Sequence, residues 1–210
     1  TDEAAQAAAG AYGSARAYFV DPWVSILNDA GAVVTEPASA RVAGLIAKTD
    51  AEIGPWQSPS NRPLNGILGV ARPVDFVLGD PASRANLLNE AGITTIIRQD
   101  GFRLWGNRTL TPDQKWQFLS VRRTADMIND SLQRAHLWAV DRAITRTYAE
   151  DVAESVNAYM AQLRALGAII GGRCWVDPDL NTPATLAAGQ VYFDFDFTAP
   201  YPAEHITFRS

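Results

Sequence analysis

The sequence predicts a mixed α/β (α+β) fold, and three observations predict it. Helical and strand-like segments alternate along the chain instead of clustering by type. Its 210 residues are 47% hydrophobic and 20% charged, enough apolar material for one large core or two small ones. Neither a repeat of ~20–50 residues nor a low-complexity linker interrupts the pattern.

Residues 2–14 are alanine-rich and read as a helix that begins without a good cap, as if its start lay upstream. Residues 16–20 read as a short strand, stopped by Asp21-Pro22. Residues 23–27 and 32–35 flank Asn28-Asp29-Ala30-Gly31, a hairpin pattern. Pro37 at a first helical position opens a helix with Val42, Leu45 and Ile46 on one face. Turn formers fill 54–61, and 67–70 and 74–78 are short strand candidates. Asp80 as N-cap, with Pro81 behind it, starts a helix that ends at Gly92. Residues 93–98 and 102–105 read as strands joined through Gln99-Asp100-Gly101. An Asp-Gly pair between β-rich runs favours a hairpin because both residues tolerate positive φ.

In the second half, 116–121 reads as a strand and a helix follows from Thr124. Ile128, Leu132, Ala135 and Ala139 share one helical face, whereas Leu137, Val140, Ile144 and Tyr148 fall on the opposite one. That switch predicts a break within 140–147. Thr147-Tyr148-Ala149-Glu150 has the capping-box pattern and leads an amphipathic helix. Its stripe is Val152, Val156, Tyr159, Leu163 and Leu166, closed by Gly167. Residues 168–170 and 173–176 are strand-like, and Thr182-Pro183 caps a short helix ending at Gly189. Val191, Phe193, Phe195 and Phe197 alternate with Tyr192, Asp194 and Asp196, the period of a half-buried strand. After a proline-rich turn, 205–209 reads as a last strand. The softest boundary lies at 106–114, which divides the chain into domains 1–105 and 106–210.

Composition excludes several classes of function. Net charge is −5 and neither half is basic, so there is no electrostatic footprint for nucleic acid. No apolar run approaches the ~18 residues of a membrane span, and the first residues lack the pattern of a signal peptide. Cys174 is the single cysteine, which fits a reducing compartment and a soluble chain made inside a cell. Arginine outnumbers lysine 16 to 2. The forked guanidinium suits interfaces, although GC-rich codon usage would give the same excess.

Catalytic chemistry finds no constellation. His136, His205 and Cys174 stand apart, without metal-ligand spacing. The acid pairs Asp177/Asp179 and Asp194/Asp196 read as a turn and a solvated strand face. Gly167, Gly171 and Gly172 do not form a phosphate loop, and no serine stands in a nucleophile elbow. Trp105, Trp116, Trp138 and Trp175 read as core. The residues therefore predict a non-enzymatic protein with no catalytic, cofactor-binding or metal-binding residue.

Several long stretches nevertheless carry a resemblance. LNEAGI (88–93), IIRQDGFRLWGNRTL (96–110) and WQFLSVRRTADMI (116–128) resemble the signature of contractile phage tail sheath proteins. PASARVAGLIAKTDAEIGPWQSPSN (37–61) is similar to the same family's helix and Trp-containing loop. GGRCWVDPDLNTP (171–183) and VYFDFDFTAPYPAEHITF (191–208) resemble the closing domain of sheaths from P2-like myophages, prophages and phage-tail-like particles.

The resemblance implies a subtilisin-like α/β portion followed by a smaller α+β sheath domain. It implies a structural subunit that polymerises around a tail tube and contracts, driving the tube through the host envelope for genome delivery. Implied partners are neighbouring sheath subunits, the tail tube protein, the baseplate and the tail terminator. No cofactor, nucleic acid or membrane is implied. The implied location is the virion, after assembly in the host cytoplasm.

A subtilisin-like origin raises a hydrolase alternative. Arg41-Val42-Ala43-Gly44 matches the helix that follows a subtilase nucleophile, and Glu36 stands where that serine would be. No histidine lies upstream, so neither nucleophile nor base is present. A degenerate serine hydrolase and a small-ligand-binding module are the alternatives. Sheath subunits of the family are longer, with terminal segments exchanged between neighbours, and this chain resembles their trimmed core. Such a core is expected to be monomeric in dilute solution. Polar contacts worth ~0–1 kcal/mol each do not offset the ~4–15 kcal/mol lost in association.

Overall fold

The computed structural model describes residues 1–209, which divide into two compact units, 1–123 and 124 onward. The class is mixed α+β, with three small sheets among the described residues.

The first unit contains α1 (Asp2–Gly10), β1 (Phe19–Val20), β2 (Val24–Leu27), β3 (Val33–Glu36) and α2 (Ser39–Glu52). It continues with β4 (Gly69–Val70), α3 (Arg84–Glu90), β5 (Ile93–Arg98) and β6 (Phe102–Trp105). β5 lies between β1, parallel to it, and β6, antiparallel, while β2 lies between β3 and β4. β5 is buried along five of its six residues because it separates two cores. Ile96 faces one side, with Val24 and Ile26 of β2, Val42 and Leu45 of α2, and Leu104. Ile93 and Ile97 face the other, with Ala5 and Ala9 of α1 and Ala85 and Leu88 of α3. The alternation of side chains along a strand makes this possible without a mixed face.

Both hairpins form as the turn residues require. Asn28 Oδ1 accepts from the N–H groups of Ala30 (3.1 Å) and Ala32 (2.8 Å), closing the β2–β3 turn. In the β5–β6 turn Asp100 has φ 50° and Gly101 φ 98°. Nothing lies within 4 Å of a Cβ built on Gly101, so Gly101→Val meets only backbone strain. Its expected cost is about 1–2 kcal/mol, read as a lower melting temperature; an unchanged one would contradict the turn geometry.

Several boundaries differ from the sequence expectation. α1 is capped after all, since the Thr1 hydroxyl accepts from Ala4 N–H at 3.2 Å. Residues 74–78 form no strand. α3 begins at Arg84 because Asp75, remote in sequence, accepts from the Arg84 N–H (3.2 Å) through its carboxylate and from the Ala85 N–H (3.2 Å) through its carbonyl. Asp80 instead makes a local turn, accepting from Ala82 N–H at 2.9 Å. The expected strand 116–121 is reduced to one bridge, Arg108↔Phe118, and α4 (Leu119–Ala135) begins immediately after it. Val121 opens the buried series Val121, Thr124, Ala125 and Ile128 at helical spacing, and the helix prevails.

The second unit holds the rest of α4, a 3-10 turn (Leu137–Ala139), α5 (Arg146–Ala165), β7 (Gly171–Val176), α6 (Pro183–Ala187) and β8 (Phe193–Thr198). The break in the helical pattern is wider than expected, and α5 is capped by Thr145, not Thr147, its hydroxyl accepting from Tyr148 N–H at 3.1 Å. The buried stripe of α5 is Val152, Val156, Met160 and Leu163; Tyr159 is half-buried and Leu166 exposed. β7 and β8 pair antiparallel, Gly171↔Thr198 to Val176↔Phe193, and β7 packs on α5. Residues 168–170 and 205–209 are not strands.

Candidate functional site

The stretches that carry the sheath resemblance build an internal joint in the first unit. The Asn89 amide, oriented with its nitrogen towards the carbonyls of Trp105 (3.0 Å) and Ile93 (2.9 Å), accepts from the Trp105 indole N–H at 3.2 Å. It thereby fixes the end of α3 to both β5 and β6. Gly106 follows with φ 134°; its N–H donates to Ser60 Oγ at 3.0 Å and its carbonyl accepts from the Tyr18 hydroxyl at 2.7 Å. Burial pushes the Tyr18 phenol well above its ordinary range, so the hydroxyl remains a donor. Farther on, Arg123 forks onto Asp50 of α2 (2.8 and 2.5 Å), and Arg122 stacks over Trp116 at 4.1 Å. These motif residues hold elements together.

The weighed chemical candidates do not converge. Glu36 ends β3 exposed to solvent. His205 lies in the extended segment after β8, and His136 sits between α4 and the 3-10 turn with Nδ1 2.8 Å from the Leu132 carbonyl. Among the described residues no group of three or more His, Cys, Asp or Glu is placed to hold a metal, and no helix is long and apolar enough to cross a membrane. Cys174 is buried in β7, and burial raises its thiol pKa. Its N–H donates to Asn157 Oδ1 (2.7 Å) and its carbonyl accepts from Asn157 Nδ2 (3.0 Å). The α5 side chain thus imitates a paired strand, a role that spacing alone did not reveal.

The β7–β8 hairpin has two different faces. Cys174, Val176 and the phenylalanines alternate with Arg173, Trp175, Asp177, Tyr192, Asp194 and Asp196. Arg173 lies over the Trp175 ring at 4.6 Å and bonds Asp196 at 3.4 Å. Asp177 Oδ1 accepts from the N–H groups of Leu180 (2.6 Å) and Asp179 (2.8 Å), which lowers its pKa. Asp194 hydrogen-bonds the same carboxylate, and that bond, with desolvation and the neighbouring charge, raises its pKa above the ordinary 3.8. Asp194 therefore stabilises the fold while protonated, a contribution present below pH 3.8 and lost as pH rises through its raised folded value. Asp177 behaves oppositely, losing its contribution as pH falls through its lowered value. Asp194→Asn keeps a donor without the charge. Its melting temperature should exceed that of the unaltered chain at neutral pH, the gap closing on acidification; a lower melting temperature at neutral pH would contradict the raised Asp194 pKa.

Beside this hairpin, within the second unit, an open cleft of about 670 Å³ is lined by Val140, Arg142, Ile144, Tyr148, Val191 and Tyr192, among others. Trp138, expected in the core, is 44% exposed, with Leu137 76% and Val140 62% exposed. The opposed apolar face noted in the sequence is therefore largely surface. The cleft and the exposed segment present apolar side chains beside a two-stranded sheet, with polar groups that do not converge on one point.

Comparison with known proteins gives one consistent result. Residues 1–110 match the family model of the phage tail sheath protein central domain, and residues 111–210 match that of the phage tail sheath C-terminal domain. The chain is 52% identical over its whole length to a prophage major tail sheath protein of Pseudomonas aeruginosa (strain UCBPP-PA14), covering 54% of that protein. It is 42% identical over 83% of its length to the tail sheath protein of Escherichia phage P2, covering 44% of it. The chain thus spans about half the length of these curated relatives. Among solved structures, the helical sheath of the anti-feeding prophage in its contracted state matches with a TM-score of 0.82 and 27% identity, over 94% of this chain and 56% of that one.

Proposed function

We propose, from the premise that this chain belongs to the phage tail sheath family, that it is the structural core of a contractile sheath subunit. Copies assemble side by side around a tail tube, are held in an extended lattice, and repack as near-rigid bodies into a contracted lattice of lower free energy. The observation that carries this is the fold likeness to a contracted-state sheath over nearly the whole chain. The β5-centred double core supports it, because a subunit that moves as a body needs interiors that do not deform. The partners are neighbouring subunits, the tube protein, the baseplate and the tail terminator. The place is the virion or a phage-like particle, assembled in the host cytoplasm.

The proposal includes a subtilisin-like portion over 1–105 and a closing sheath domain over 106–210. It also includes the absence of hydrolase activity, for which the support is chemical: Glu36 is exposed and has no histidine within the first unit to act as base. Electron microscopy of the full-length protein should find tubular polysheaths; a protein that stays dispersed under all assembly conditions counts against a sheath role. A fluorophosphonate probe should leave the chain unlabelled, and a serine adduct would favour the hydrolase alternative.

A further inference from the structure

The chain contains one Asn-Gly pair, Asn65-Gly66, in the loop between α2 and β4. Both residues are exposed. The loop is anchored on either side, by the Leu64 N–H donating to the Phe102 carbonyl (2.8 Å) and the Leu68 N–H donating to the Ser25 carbonyl (2.7 Å). Between these anchors neither the Asn65 carboxamide nor the Gly66 N–H has a hydrogen-bond partner among the described residues. The amides of Asn28, Asn86, Asn89, Asn157 and Asn181 are engaged, and the other asparagines, Asn61, Asn107 and Asn129, are not followed by glycine. Gly66 has φ 77° and no side chain to obstruct approach to its nitrogen. A side chain there would begin 3.3 Å from Nη1 of Arg41, an exposed guanidinium on α2 without an ion-pair partner among the described residues.

We infer that Asn65-Gly66 is a self-modifying site, where the Gly66 nitrogen converts Asn65 to aspartate and isoaspartate with Arg41 stabilising the developing charge. The Gly66 N–H gives its proton to solvent base and the nitrogen bonds to Asn65 Cγ. The bond from Cγ to the side-chain nitrogen breaks, and that nitrogen leaves as ammonia with a proton from water. Water then opens the five-membered imide at either carbonyl. Attack at Cγ places negative charge on the carboxamide oxygen, and a guanidinium beside Gly66 lowers the energy of that charge. The product is a carboxylate next to a previously unpaired cation. Where the imide opens to isoaspartate, the main chain gains one methylene between the Leu64 and Leu68 anchors.

The folded chain is incubated at mildly alkaline pH and mapped by peptide mass spectrometry, with isoaspartyl methyltransferase labelling. Asn65 should lose its amide before any other asparagine, giving both products. The mass gain separates it from Asp100-Gly101, whose isomerisation through the same imide leaves mass unchanged. Arg41→Gln should slow the reaction several-fold while Arg41→Lys retains most of it. Asn65 outlasting another asparagine would overturn the site, and equal rates in Arg41→Gln and the unaltered chain would overturn the role of the guanidinium.

Discussion

Gly106→Ala is expected to destabilise the first unit by on the order of 3 kcal/mol or more, combining a φ barred to side chains with overpacking. At φ 134° an added Cβ would stand 2.5 Å from the Asn89 carboxamide, 2.8 Å from Thr94 Oγ1 and 2.9 Å from Thr94 Cα. The last of these is backbone near the start of buried β5 and cannot swing aside. Relief would require β6 to move away from β5, breaking the bonds of Gly106 with Ser60 and Tyr18. Against a total stability of ~5–15 kcal/mol the loss is large. Denaturant melts of the variant should shift accordingly, and hydrogen exchange should localise the change to β5 and β6. A variant as stable as the parent would mean that the joint at Gly106 is looser than its geometry.

Leu163→Ala is expected to cost about 2–5 kcal/mol in the second unit. Leu163 is 3% exposed and continues the stripe of Val152, Val156 and Met160 on the helix that packs against β7. Its carbonyl accepts from the Ala168 N–H at 2.9 Å, which ties the end of α5 to the turn at Gly167 and hinders collapse around a cavity. Equilibrium unfolding measures the difference directly. A loss under about 0.5 kcal/mol would be that of a surface position.

Elements with strong local chemistry were legible in the sequence. The Asn28 and Asp100-Gly101 hairpins, the Thr182-Pro183 cap and the alternating phenylalanines of β8 each depend on residues adjacent in sequence. What was not legible depends on partners outside the element itself. Asp75 caps α3 in place of Asp80, so the helix starts later than its own residues suggest. The stripe of α5 passes through Met160 and not Tyr159 because both fit a 3.6-residue period; the side of Asn157 that reaches Cys174 selects between them. The exposed apolar surface was the least legible part. Exposed Leu137, Trp138 and Val140 carry the same composition as a core, and only the fold distinguishes the two.

The attachment of α1 has a mechanical consequence. This helix gives the core two methyl groups, Ala5 and Ala9, and methyl-sized groups supply only ~0.8 kcal/mol each. The rest of its hold is charge: Arg84 forks onto Asp2 at 2.9 and 3.1 Å, and Arg72 bridges Asp2 and Asp21. Ionic strength weakens the more exposed Arg84–Asp2 pair most and the partly buried Arg72 pairs less, while leaving apolar burial intact. α1 therefore behaves as an electrostatic latch on an otherwise greasy scaffold. It can let go under load or in brine while both isoleucine-lined layers stay shut, giving the first unit a compliant end on a stiff body.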